Sequence, residues 1–94
     1  MAVAMLLDVP EGTEEQYGAL RRELGDPLGV VGCLLHLAGP TAGGWRIVEV
    51  WESEEALERY FGDELAPALL RIDMPTAERE LFPVFELAGV GSGA

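Results

Sequence analysis

A chain of 94 residues holds one domain, and with 49% apolar residues it can bury a core, though a thin one that a second copy would help to cover. Seventeen acidic against six basic residues give a net charge of −11, which repels phosphate backbones and anionic headgroups and makes nucleic acid and membrane surfaces poor partners. The single cysteine, Cys33, has no internal disulfide partner and the spaced Cys and His ligands of a structural zinc site are missing, so a reducing cytoplasm and no bound metal are expected.

The N-terminal "MAVAMLLDVP" has no basic residue ahead of its apolar run and Asp8 interrupts it, so residues 2–9 read as a strand rather than a signal segment. Pro10 and Gly12 end that strand. Thr13 followed by Gln16 forms a capping box, with Glu14 and Glu15 set favourably against the helix dipole, and the stripe Tyr17, Leu20, Leu24 runs along the helix until "GDP" stops it. "VVGCLLHLA" (30–38) and "WRIVEVW" (45–51) read as a hairpin around the turn "GPTAGG". Ser53 caps a second helix with Ala56, Leu57, Tyr60, Phe61 and Leu65 on its apolar face, and Pro67 suits the first turn of a short additional helix. "LFPVFELA" (81–88) is the last strand, an edge or bulged one because of Pro83. One domain over residues 1–88 with a loose tail at 89–94 is the expected organisation, since "GVGSGA" has little to bury.

The order βαββαβ predicts an α+β, ferredoxin-like fold, an antiparallel sheet with both helices on one face. Alternate hairpin residues then separate into two sets. Val31, Cys33, Leu35, Leu37, Val48 and Val50 are almost wholly apolar and suit the helix layer. Leu34, His36, Trp45, Ile47, Glu49 and Trp51 form the other set, too apolar for water and too polar to seal dry, and are expected on the open face. Pairings whose residue numbers sum to 83 or 85 keep His36 and Glu49 on a common side, diagonal in the first and directly opposite in the second. A second subunit laid on that face would close a cavity holding one imidazole, one carboxylate and two indoles.

The stretch "GWRIVEVWESEEALERY", together with the hairpin "HLAGPTAGG", resembles the dimeric α/β-barrel superfamily, the group containing the small antibiotic-biosynthesis monooxygenase-like proteins. The resemblance implies two ferredoxin-like subunits packed face to face, and it covers activities from cofactor-independent oxygenases and polyketide cyclases to haem-degrading enzymes, isomerases and dehydratases. It carries a substrate-facing role onto Trp51. It carries no haem chemistry: Tyr60 stands where many members have histidine, the first strand lacks the asparagine of haem-degrading relatives, and Phe85-Glu86 replaces a common His-Asn pair.

His36 is the candidate base and Glu49 the group that orients it, with Trp51, Trp45, Tyr60, Leu34 and Ile47 as candidate walls for an apolar, aromatic or polyketide-like molecule. Packing alone is the competing account of the tryptophans and of Tyr60, and a neighbour-satisfied histidine the competing account of His36. No metal cluster, phosphate loop, nucleophile elbow or dinucleotide fingerprint appears, so a monooxygenase, cyclase or isomerase here is expected to work without a cofactor. The alternative is a non-catalytic homodimer that binds a small molecule or a partner protein.

Overall fold

The structure is a computed structural model and describes residues 1–74 and 77–89. The elements follow in the order β1 (Val3–Pro10), α1 (Glu14–Leu24), a 3-10 turn (Pro27–Gly29), β2 (Cys33–Thr41), β3 (Gly44–Trp51), α2 (Glu54–Tyr60), a π-helical turn (Phe61–Leu65), α3 (Ala66–Arg71) and β4 (Glu78–Pro83). The sheet is four-stranded with order β2-β3-β1-β4 and antiparallel throughout, the ferredoxin-like arrangement.

Local signals act where the sequence puts them. Thr13 and Gln16 form the reciprocal capping box of α1, and the Ser53 hydroxyl accepts from the Ala56 amide at the start of α2. Gly25 ends α1 with φ of 77°, a left-handed value that glycine adopts at no steric cost. β2 starts at Cys33 rather than residue 30, because Asp26 caps a 3-10 turn that uses up the preceding chain. The hairpin turn is shorter than "GPTAGG": pairing continues to Thr41↔Gly44, which leaves Ala42 and Gly43 as the loop. Pro67 sits in the first turn of the short helix α3, as expected, but that helix is not separated from α2. Helical structure runs unbroken from Glu54 to Arg71, and the Ala66 amide reaches back to the Phe61 carbonyl, a widened turn just before a residue whose ring would otherwise crowd the carbonyl four positions earlier. The last strand lies at Glu78–Pro83 rather than 81–88, on the sheet edge where a proline is tolerated. The tail expected at 89–94 lies outside the described residues except for Gly89.

Face assignment is the main correction. Val3, Met5, Leu7 and Val9 are buried with Leu20 of α1, Leu57 and Tyr60 of α2, and Leu65 and Ala68 beyond it. The β1–β3 register sets Val3 opposite Trp51, Met5 opposite Glu49, Leu7 opposite Ile47 and Val9 opposite Trp45, so that set of β3 shares the helix side. Trp45, Ile47, Glu49 and Trp51 are therefore under the helices and not on the open face. His36 goes with them, because β2 and β3 pair on the sum of 85 and place it directly opposite Glu49. The open face instead carries Leu35, Leu37, Val48 and Val50 of the set expected inside, with Leu6 of β1 and Phe82 of β4 in register beside them; Cys33 of that set, ahead of the bulge and opposite Trp51, packs on the helix-side core as expected. Leu34 belongs to neither set: it is the extra residue of a bulge between Cys33 and Leu35 and is 41% exposed.

Candidate functional site

The helix layer closes over a continuous chain of side-chain hydrogen bonds built from α1, β2 and β3. The Tyr17 hydroxyl lies 2.6 Å from His36 Nε2, His36 Nδ1 lies 2.8 Å from Glu49 Oε2, and the Trp51 indole donates to Glu49 Oε1 at 3.0 Å. The side chains of His36 and Glu49 are 7% and 3% exposed. A chamber formed by pairing two sheets does not contain these groups; they sit within one protomer, beneath α1. Burial of the two polar groups is tolerated because each finds a partner, which is the condition under which such groups enter a core.

Donor and acceptor capacity fixes the tautomer. A carboxylate only accepts, and the Trp51 indole already supplies one of its oxygens, so His36 Nδ1 must carry the hydrogen shared with the other. In the neutral ring the lone pair is then on Nε2, where the Tyr17 O–H donates. The order tyrosine, imidazole, carboxylate resembles a base held and oriented by a buried acid, an arrangement suited to accepting a proton at Nε2.

Aromatic rings enclose this chain. Tyr17 stacks on Trp45 with centroids 5.4 Å apart, Trp51 meets Tyr60 at 5.0 Å, and the Arg21 guanidinium lies 5.6 Å from the Tyr17 ring centre. Burial pushes both tyrosine hydroxyls above their ordinary range, with the Arg21 charge pulling them back and the Glu49 charge adding to the rise. Two buried donors lack a partner among the described residues, Trp45 Nε1 and Arg21 Nε, and both belong to residues in contact with the Tyr17 ring. Burial also pushes the Cys33 thiol up to about 11, which keeps it protonated at neutral pH and ill suited as a nucleophile.

Of the residues singled out by sequence, the structure brings together His36, Glu49, Trp51, Trp45 and Tyr60, with Ile47 in the same core layer. Leu34 is not among them. A cleft of about 220 Å³ lies at the edge of the group, lined by Val30, Val31, Trp51, Ala56, Tyr60 and residues of the π-helical turn. Tyr17 is the member that sequence reasoning missed. It had a signal: a tyrosine on the buried stripe of a helix needs a partner for its hydroxyl, and the chain offers one histidine. Among the described residues no group of His, Cys, Asp and Glu is placed to hold a metal ion, and no helix is long and apolar enough to cross a membrane.

Several solved structures share this fold at low sequence identity. Rv0793 from Mycobacterium tuberculosis is 17% identical with a TM-score of 0.69, covering 95% of this chain and 100% of its own. SnoaB, a cofactor-independent oxygenase from Streptomyces nogalater, is 14% identical with a TM-score of 0.68, covering 92% and 94%. A conserved protein from Methanosarcina mazei Go1 is 12% identical with a TM-score of 0.68, covering 88% and 93%. No curated protein matches the chain. Residues 1–68, from β1 through the π-helical turn and into α3, match the family described as antibiotic biosynthesis monooxygenase, and with that match over most of its length the chain belongs to this family.

Proposed function

We propose that this protein is a small cytoplasmic enzyme of secondary or peripheral metabolism that transfers a proton from an apolar aromatic or polyketide-like molecule, as a cofactor-independent monooxygenase or a related cyclase or isomerase. The observation that carries this reading is His36 Nε2, a lone pair whose position is fixed by Glu49 and which is surrounded by aromatic rings. His36 takes the proton of an acidic C–H or phenolic O–H, and Glu49 holds the ring and stabilises the imidazolium that forms. In the oxygenase form the resulting carbanion reduces dioxygen: one oxygen atom ends in a new carbonyl, the other leaves as water, and the substrate's own two C–H electron pairs supply the reduction. Membership of the family and the shared fold of SnoaB support this form.

An oxygen electrode tests it with dithranol, an anthrone whose CH2 is acidic. The intact protein should accelerate oxygen uptake, and His36→Ala should lower the rate by about 10²- to 10⁴-fold, the usual worth of a positioned general base, with an unchanged circular dichroism spectrum. Equal uptake by the two proteins would remove His36 from the chemistry. The sealed setting of His36 and Glu49 favours a second reading, a non-catalytic binding or interaction dimer, in which the variant changes neither turnover nor assembly.

The partner we propose is a second copy, laid on the open face. Leu37 and Phe82 on that face are 51% and 46% exposed, and an isologous contact would cover both in each copy. Sedimentation should give a dimer for the intact protein and a monomer for Leu37→Glu, which places a charge on the apolar face that the contact would cover. A monomer before the substitution, or a dimer after it, would reject the sheet-to-sheet pairing.

A further inference from the structure

We infer that Tyr17 is a built-in occupant of a phenol-binding position, and that a ligand reaches His36 by displacing it as α1 lifts. This rests on the reading of His36 as the reacting base and names how that site is gated and what it admits.

Three features of Tyr17 match what a bound phenol would require. Its ring stacks on Trp45 at 5.4 Å with planes inclined by 30°. A guanidinium, Arg21, lies 5.6 Å from its ring centre, within the range of a cation–π contact. Its hydroxyl meets the one basic lone pair of the buried network at 2.6 Å. A face for stacking, a cation for the π cloud and a base for the acidic hydrogen are thus assembled around a phenol, and the phenol in place comes from the chain itself. The unpartnered Trp45 Nε1 and Arg21 Nε add two buried donors beside that ring. Tyr17 has no second oxygen to offer them, whereas a ligand carrying a carbonyl or ether oxygen next to its phenol could satisfy one or both. The fit is therefore to a polyoxygenated aromatic.

α1 is lightly held. Leu20 is its one fully buried side chain, with Tyr17 and Leu24 partly buried against the core, and Tyr17 to His36 is the side-chain hydrogen bond that ties it to the sheet among the described residues. Gly12 and Gly25 flank it at either end. Its polar ties to the other helices are Glu23 to Arg71 of α3, which is exposed and contributes little, and the Arg21 guanidinium, which acts on the Tyr60 hydroxyl of α2.

The experiment uses 1-naphthol, calorimetry and 19F NMR of the protein labelled with 3-fluorotyrosine. Tyr17→Phe keeps the ring and its packing but removes the hydroxyl that competes for His36 Nε2, so 1-naphthol should bind this variant about five- to ten-fold more tightly than the intact protein, the worth of one hydrogen bond. His36→Ala should lose that gain when combined with Tyr17→Phe. In the intact protein, the Tyr17 fluorine signal should move to a solvent-exposed shift on saturation. No binding to either protein, equal or weaker binding by Tyr17→Phe, or binding without movement of the Tyr17 signal would each overturn the gate. The enzymatic reading fails separately: displacement of Tyr17 by 1-naphthol with no oxygen uptake from dithranol leaves the gate standing and removes the oxygenase, while uptake that is indifferent to Tyr17→Phe does the reverse.

Discussion

Glu49→Gln should leave the fold intact, reverse the tautomer of His36 and lower turnover about 10³- to 10⁴-fold, the scale seen when a base is held in the wrong tautomer. The Trp51 indole can only donate, so the new amide must turn its oxygen toward Trp51 and its NH2 toward His36. The imidazole then has to present a lone pair at Nδ1 and carry its hydrogen on Nε2, away from the position where a base is needed. Ring 15N shifts of the single histidine read this directly. Glu49→Ala is the contrasting case: it leaves the indole N–H and the Nδ1–H buried without partners, and at about 1–3 kcal/mol for each unpaired donor the loss is about 3–5 kcal/mol. For a domain of this size that corresponds to a melting temperature lower by roughly 12 °C or more. A histidine that keeps its hydrogen on Nδ1 in the glutamine variant would show that Glu49 does not set the tautomer.

The second large effect comes from backbone proximity and involves no polar side chain. A Cβ on Gly44 would lie 2.2 Å from the Val9 carbonyl oxygen and 2.6 Å from the Glu11 amide nitrogen, and neither backbone atom can swing aside. Gly44→Ala must therefore part β3 from the end of β1, disturbing the Gly44↔Pro10 pair and the hydrogen bond from the Glu11 amide to the Gly43 carbonyl at 2.6 Å. We expect a loss of about 3 kcal/mol or more, in the range of severe overpacking, read as a lower urea midpoint. Gly43→Ala is the control from the same turn. Nothing lies within 4 Å of its Cβ and its φ is not positive, so its stability should stay within about 0.5 kcal/mol of the parent. Equal midpoints for the two variants would contradict the close approach of the strands.

Tyr17, His36 and Glu49 show how far a sequence carries the candidate site. That His36 and Glu49 share a side of the hairpin follows from alternation, a local matter, and it was legible; which of the two registers pairs them was not. Nor was their burial. Reading the hairpin by itself favours the more apolar alternate set for the helix side, on the premise that a buried imidazole or carboxylate would lack a partner. The Tyr17 hydroxyl and the Trp51 indole remove that premise, since they satisfy the far side of each group. Tyr17 reaches His36 from 19 residues away, a distance over which spacing and periodicity carry no information.

The sequence by itself determined the order of the elements, the capping of α1 and α2 and the placing of His36 and Glu49 on a common side of the hairpin, because caps, turns and alternation act over a few residues; the structure then selected direct opposition over the diagonal register. Only the tertiary structure decided which side of the sheet the site occupies. That choice rests on the non-local register of β1 against β3, where burying Val3, Met5, Leu7 and Val9 under the helices carries Trp45, Ile47, Glu49 and Trp51 to the same side. Apolar burial in one strand thus set the position of polar groups in another, which no single segment encodes.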